Sequence, residues 1–352
     1  MRCLALVLAV FVLACGSSSP PAAPTTTRAP TTTAPARGLD PLLANYAYPD
    51  PVAFHEVTSQ RQTLRMAYVD VAPPSSVNAP VVLLLHGKNF SAASWSPTIR
   101  ALVERDFRVI APDQIGFGKS DKPDRYQFSF EALVDATRSL LDARGVQRVR
   151  VVGHSMGGML AVRFARMLPD RVDRLVLVNP IGLEDWRALG VPSATIDDLY
   201  AKELAATPDS IRTYMRNAYF AGEWKPAYEP LIEILAGWTQ HPDYARVAWN
   251  AALTADMIFT QPVVHELPRV TAPTLLVIGT RDRTAIGKDR APKDLAATLG
   301  HYEVLGKQAA AAIPGAKRGE RDGVGHLPQV EAWDAYLRAL LDFLGEPAGA
   351  KR

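Results

Sequence analysis

Residues Val149 to Leu160 read Val-Arg-Val-Val-Gly-His-Ser-Met-Gly-Gly-Met-Leu, and no other stretch constrains the fold as strongly. An apolar run rich in β-branched residues ends in Gly153-His154-Ser155-Met156-Gly157, and a helix-compatible segment follows. This is a strand, a G-x-S-x-G turn and a helix in that order. Such a turn is sharp enough to force Ser155 into a strained backbone conformation, so Gly153 and Gly157 must be small. It pushes the Ser155 hydroxyl out at the end of a sheet, beside the positive end of the following helix. A chance Gly-Ser-Gly pattern would not be framed by a buried strand and a helix, so Ser155 is read as a nucleophile.

A serine hydroxyl is a poor nucleophile at neutral pH and needs a base, which in turn needs an orienting carboxylate. After a strand-first turn the partners should follow in the order carboxylate, then histidine. Of the seven histidines, His86 lies in a Leu-His-Gly turn and His154 inside the nucleophile turn, while His55, His241, His265 and His301 adjoin no turn signature. His326 differs. It sits in the glycine-bracketed loop Gly323-Val324-Gly325-His326-Leu327-Pro328, ahead of an amphipathic helix expected from about Glu331 to Leu344. The carboxylate is placed at Asp282, in the loop Thr280-Arg281-Asp282-Arg283 that follows the strand-like run Thr274–Gly279. The end of the preceding strand offers Asn179, which cannot carry the charge; Glu184 and Asp185 are weaker competitors because they begin the next segment. Two N–H donors should face a developing oxyanion. Met156, the residue after the nucleophile, supplies one. The loop His86-Gly87-Lys88-Asn89-Phe90 after the run Val81–Leu85 supplies the other from Lys88, with Asn89 as second choice.

These motifs together resemble the α/β-hydrolases, over about Phe54 to Leu344. The turn Asp113-Gln114-Ile115-Gly116-Phe117-Gly118-Lys119-Ser120 is similar to one in epoxide hydrolases, haloalkane dehalogenases and meta-cleavage C–C hydrolases. The first two carry aspartate where this chain has Ser155, which excludes their activities. One departure is an added segment from about Lys288 to Ile313, which lengthens the run between Asp282 and His326 beyond what is usual in that family. The resemblance implies an α/β fold with a mostly parallel, doubly wound sheet and a helical cap inserted after the sixth strand.

Composition agrees. A chain of 352 residues with 48% hydrophobic content can bury one large α/β domain plus an insertion. The net charge of +3 is spread without a basic block, so nothing argues for nucleic acid. Strand-like runs at Val81–Leu85, Val109–Ala111, Val149–Val152, Leu175–Val178 and Leu275–Ile278 alternate with helical stretches, as in a parallel sheet covered on both faces. Phe54–Gln60 and Leu64–Val71 read as an antiparallel pair feeding it. Between Pro180 and Pro262 the alternation stops. There Trp186, Trp224, Trp238 and Trp249 occur with Tyr200, Tyr214, Tyr219, Phe220, Tyr228 and Tyr244, which collectively imply a covered, mostly apolar pocket. The expected organisation is a signal at 1–14, a tether at 15–38, core at 39–181, cap at 182–262 and core again at 263–346.

The apolar stretch Cys3 to Ala14 is too short for a membrane span of about 20 residues and suits an export signal. Val12-Leu13-Ala14-Cys15 resembles a bacterial lipoprotein box, which implies lipidation of Cys15 and an enzyme held at a membrane surface of the cell envelope. An ordinary cleaved signal with a soluble periplasmic or secreted product is the alternative. Residues Gly16 to about Gly38 form a Ser/Pro/Thr/Ala tether. With Cys3 lost and Cys15 lipidated, neither of the two cysteines is left for a disulfide.

The expectation is a serine hydrolase acting on carboxylic esters or related small acyl substrates, with no metal or organic cofactor implied. A meta-cleavage-type C–C hydrolase uses the same triad and is the alternative. A lipid-anchored binding protein without catalysis would be signalled by a missing triad member, and none is missing.

Overall fold

The computed structural model describes residues 38–74 and 78–346. The expected signal, Cys15 and most of the tether lie outside these residues. Among the described residues, eight strands form one sheet in the order β1-β2-β4-β3-β5-β6-β7-β8. β1 (Val52–Ser59) and β2 (Gln62–Val71) pair antiparallel, and β2 joins β4 (Arg108–Pro112) antiparallel. From β4 onward the sheet is parallel, through β3 (Val81–Leu85), β5 (Val149–His154), β6 (Val172–Val178), β7 (Thr274–Gly279) and β8 (Lys317–Arg321).

Successive side chains on these strands alternate between two buried faces, which is why the central strands read as continuous apolar runs. One face carries Leu83, Leu85, Ile110, Val151, Leu175, Leu177, Leu276 and Ile278. It is covered by α2 (Phe130–Ala143), α3 (Met156–Met167) and α9 (Tyr302–Ala312), following α1 (Ser96–Val103) in the chain. The other face carries Val82, Leu84, Val109, Val152, Val176, Val178, Leu275 and Val277 against α1 and α11 (Trp333–Gly345).

Between β6 and β7 lie α4 (Ile196–Leu204), α5 (Pro208–Ala218), α6 (Glu233–Trp238) and α7 (Tyr244–Thr260), the helical cap. Their own apolar cluster joins Met215, Tyr219, Phe220, Tyr228 and Ile232 to Leu327 of the core, so the cap is packed onto the His326 loop. The stretch after residue 38 straps the far end of the cap: Leu39 N–H donates to the Gly237 carbonyl, and Trp238 Nε1 donates to the Asp40 carbonyl.

Two regions after β7 complete the fold. The added segment is helical, comprising α8 (Lys293–Thr298) and α9, and α9 buries Tyr302, Leu305 and Ala309. The expected C-terminal helix is α11, preceded by the short α10 (Pro328–Glu331) and a turn at Ala332.

Candidate active site

Strand register decides which loops meet. Leu85 pairs with Gly153, so the chain leaving β3 at His86 and the chain leaving β5 at Ser155 emerge side by side. β3 pairs with β4 on one side and β5 on the other, and open α/β sheets bind ligands at such a reversal of strand order. His154 pairs with Val178 and Val178 with Val277, which brings the ends of β6 and β7 to the same edge.

Ser155 has φ 56 and ψ −121, a conformation costly for a residue with a side chain. The surrounding glycines make it possible. A Cβ at Gly157 would overlap the Leu85 carbonyl, and one at Gly153 would overlap the carbonyl of Gly157. A Cβ at Gly87 would stand 3.0 Å from the Ser155 Cβ, so the His86–Phe90 loop runs directly against the Ser155 turn. Met156 opens α3, and the first N–H groups of a helix have no acceptor within it.

His326 and Asp282, both fully buried, are joined at 2.5 Å between Nδ1 and Oδ2. Asp282 is further held by the Thr284 N–H on Oδ1 (2.8 Å) and by Asn179 Nδ2 on Oδ2 (2.8 Å). Asn179, at φ 37, also accepts the Gly279 N–H at 2.9 Å. The position that sequence discounted for lacking a charge therefore braces the carboxylate. The other imidazole nitrogen, His326 Nε2, is buried and makes no hydrogen bond among the described residues. With Nδ1 committed to the carboxylate, Nε2 is the nitrogen left free to take a proton.

His154 supports this arrangement from below. Its Nε2 lies 2.9 Å from the His326 carbonyl and its ring 4.8 Å from the His326 ring. Burial, reinforced by the neighbouring His326, pushes the His154 pKa well below its usual range and keeps it neutral. Tyr219, which caps the C-terminus of α5 in the cap, stacks on the His326 ring with centroids 4.4 Å apart.

The Lys88 ammonium is 2.8 Å from Glu203 of α4, and Asn89 Nδ2 donates to the Tyr219 hydroxyl at 2.8 Å. The competing acids lie elsewhere. Glu184 accepts from the Gly300 N–H and Trp186 Nε1, and Asp185 pairs with His265. Asp113 accepts the N–H groups of Ala92 and Lys119 and the Tyr48 hydroxyl, as a turn-shaping residue does. Sequence reasoning missed Asn179, His154 and Tyr219. Only Asn179 carried a local signal, an Asn before Pro180 at a strand end, where positive φ is tolerated.

The family model of the α/β-hydrolase fold matches residues 80–332. This chain belongs to that family. A crystal structure of a protein from Pseudomonas aeruginosa described as a probable hydrolytic enzyme is similar at 51% identity and a TM-score of 0.85, covering 88% of this chain and 99% of that one. The 2-hydroxy-6-oxo-6-phenylhexa-2,4-dienoate hydrolase of Burkholderia cepacia is 30% identical over 270 residues, covering 75% of this chain and 87% of that enzyme. An uncharacterised protein of Mycobacterium bovis is 38% identical over 142 residues, and the match spans 41% of its length.

Proposed function

We propose that this α/β-hydrolase is a serine hydrolase acting on carboxylic esters or related small acyl compounds. The observation that carries the reading is the His326–Asp282 pair at 2.5 Å with His326 Nε2 left buried and unbonded, in a molecule whose Ser155 has a strained nucleophile-turn backbone. In this mechanism His326 Nε2 takes the Ser155 proton as Oγ adds to the acyl carbonyl. Asp282 holds the Nδ1–H tautomer and stabilises the imidazolium that forms. The N–H groups of Met156 and Lys88 receive the oxyanion. Collapse returns the proton to the leaving alkoxide, and water then releases the acyl group from Ser155 by the same steps. Ser155 is only 4% exposed and the cap packs onto the loop that carries His326, which supports a small soluble acyl substrate over a lipid surface.

A second reading, C–C bond hydrolysis of a vinylogous diketone, is favoured by the similarity to the Burkholderia enzyme. That chemistry asks for a free cation beside the substrate carboxylate. Lys88, the cation of the oxyanion loop, is already paired with Glu203, which puts the ester reading ahead. A panel of p-nitrophenyl esters of rising acyl length, run beside a ring-fission diketone, separates the two. Turnover of the diketone with no ester turnover would reverse the order. For location, the lipobox-like Val12–Cys15 supports a lipid-anchored enzyme at the cell envelope.

A further inference from the structure

Tyr219 belongs to the cap, yet it touches both halves of the catalytic apparatus. Its carbonyl accepts the His326 N–H at 2.8 Å. The contact is so close that a Cβ on Gly325 would overlap that carbonyl, which explains why the base loop carries glycine there. Its ring lies on the His326 imidazole at 4.4 Å and 29°. Its hydroxyl receives Asn89 Nδ2 at 2.8 Å, and Asn89 follows Lys88 in the oxyanion loop. The residue is 3% exposed, and Met215, Phe220 and Leu327 share its apolar cluster. A second cap element, α4, reaches the same loop through Glu203 and Lys88.

On the serine-hydrolase reading, we infer that Tyr219 is a positioning residue that makes the site competent only when the cap is down. With Ser155 4% exposed and His326 fully buried, substrate enters by displacing cap residues. Displacing Tyr219 frees the His326 loop, uncovers one face of the imidazole and releases Asn89 in a single event. Closure over a bound acyl group restores all three contacts together. Binding energy is thus linked to assembly of the base and the oxyanion loop, an induced-fit arrangement. Tyr219 touches no reacting atom; it acts through His326 and Asn89.

The test uses p-nitrophenyl acetate turnover and the rate of fluorophosphonate labelling on the full-length enzyme. Tyr219→Phe keeps the ring and loses the hydroxyl's hydrogen bonds to Asn89 and Tyr214, so kcat should fall about 3- to 10-fold with KM within about 3-fold. Asn89→Ala should give a loss no larger than this, and the double variant should be no worse than Tyr219→Phe alone, because the bond Asn89 makes to Tyr219 is already lost there. Tyr219→Leu, which also removes the ring from His326, should lose about 100-fold in kcat and labelling rate, with Tyr219→Phe recovering most of it. Gly325→Ala should lose activity through the Tyr219 carbonyl. Wild-type kcat in Tyr219→Leu, or losses in Tyr219→Phe and Asn89→Ala that multiply, would overturn the inference while leaving the serine hydrolase standing. A wild-type enzyme that neither labels nor turns over would remove both.

Discussion

Asn179→Asp converts the brace on the Asp282 carboxylate into a second carboxylate. The amide nitrogen it replaces lies 2.8 Å from Asp282 Oδ2, and both residues are fully buried. Two negative charges at that separation repel by about 6 kcal/mol at an effective dielectric of ~20. Retaining a proton at pH 7 that an unfolded aspartate releases near pH ~3.9 costs only about 4 kcal/mol. Protonation is therefore the cheaper outcome, and the pair should hold one shared proton at neutral pH. The folded variant then binds more protons than its unfolded chain, so its stability falls as pH rises, by about 1.4 kcal/mol per unit above pH ~4. Urea unfolding of wild type and variant at pH 4.5, 5.5 and 7 reads this directly. The gap between them should widen by about 3 kcal/mol over that range, within the ~5–15 kcal/mol a domain of this kind has available. A gap that stays constant with pH would show that the new carboxylate does not face Asp282.

Three further outcomes are expected. Asp282→Asn should keep the fold and lower ester turnover by about 10³–10⁴, because the amide favours the wrong imidazole tautomer; an equal loss in Glu184→Gln but not in Asp282→Asn would move the acid. Lys122 is buried beneath Trp238 with its ammonium on the Gly118 and Ser120 carbonyls, and burial lowers its pKa to about 7. Folded, it holds fewer protons than unfolded, so wild-type stability relative to Lys122→Met should rise by about 1.4 kcal/mol per unit between pH 7.5 and 9, and parallel curves would contradict this. Cys15→Ser should move the protein from the membrane fraction to soluble or unprocessed material with ester turnover unchanged; an unacylated wild-type mature mass would favour plain secretion.

The strand-turn-helix around Ser155 was legible because its chemistry is local. The glycines that permit φ 56 are neighbours in sequence, and the buried strand announces itself by β-branched residues. The central strands were legible for the same reason, each being apolar on both faces. β8 was not, because Lys-Arg-Gly-Glu-Arg is an edge strand paired on one side only and carries no apolar run. Asp282 and His326 could be placed on loops after strands, but their separation rests on the packing of α8 and α9, which no local pattern encodes. Asn179 shows a different limit. The sequence offered it as a position unable to carry the charge, and only the register of β6 against β7 shows it holding Asp282 in place. Tyr219 was one aromatic among many in the cap, and its contact with His326 depends on how the cap closes.

The central claim is that Ser155 is a nucleophile activated by His326. The most direct measurement is intact-mass analysis after fluorophosphonate treatment of wild type and Ser155→Ala at matched fold, followed by peptide mapping. The account predicts one adduct per wild-type chain, located on Ser155, none on Ser155→Ala, and loss of ester turnover by about 10⁴–10⁶ in that variant. Labelling of folded Ser155→Ala to the wild-type extent, or an adduct mapped to another residue, would contradict it.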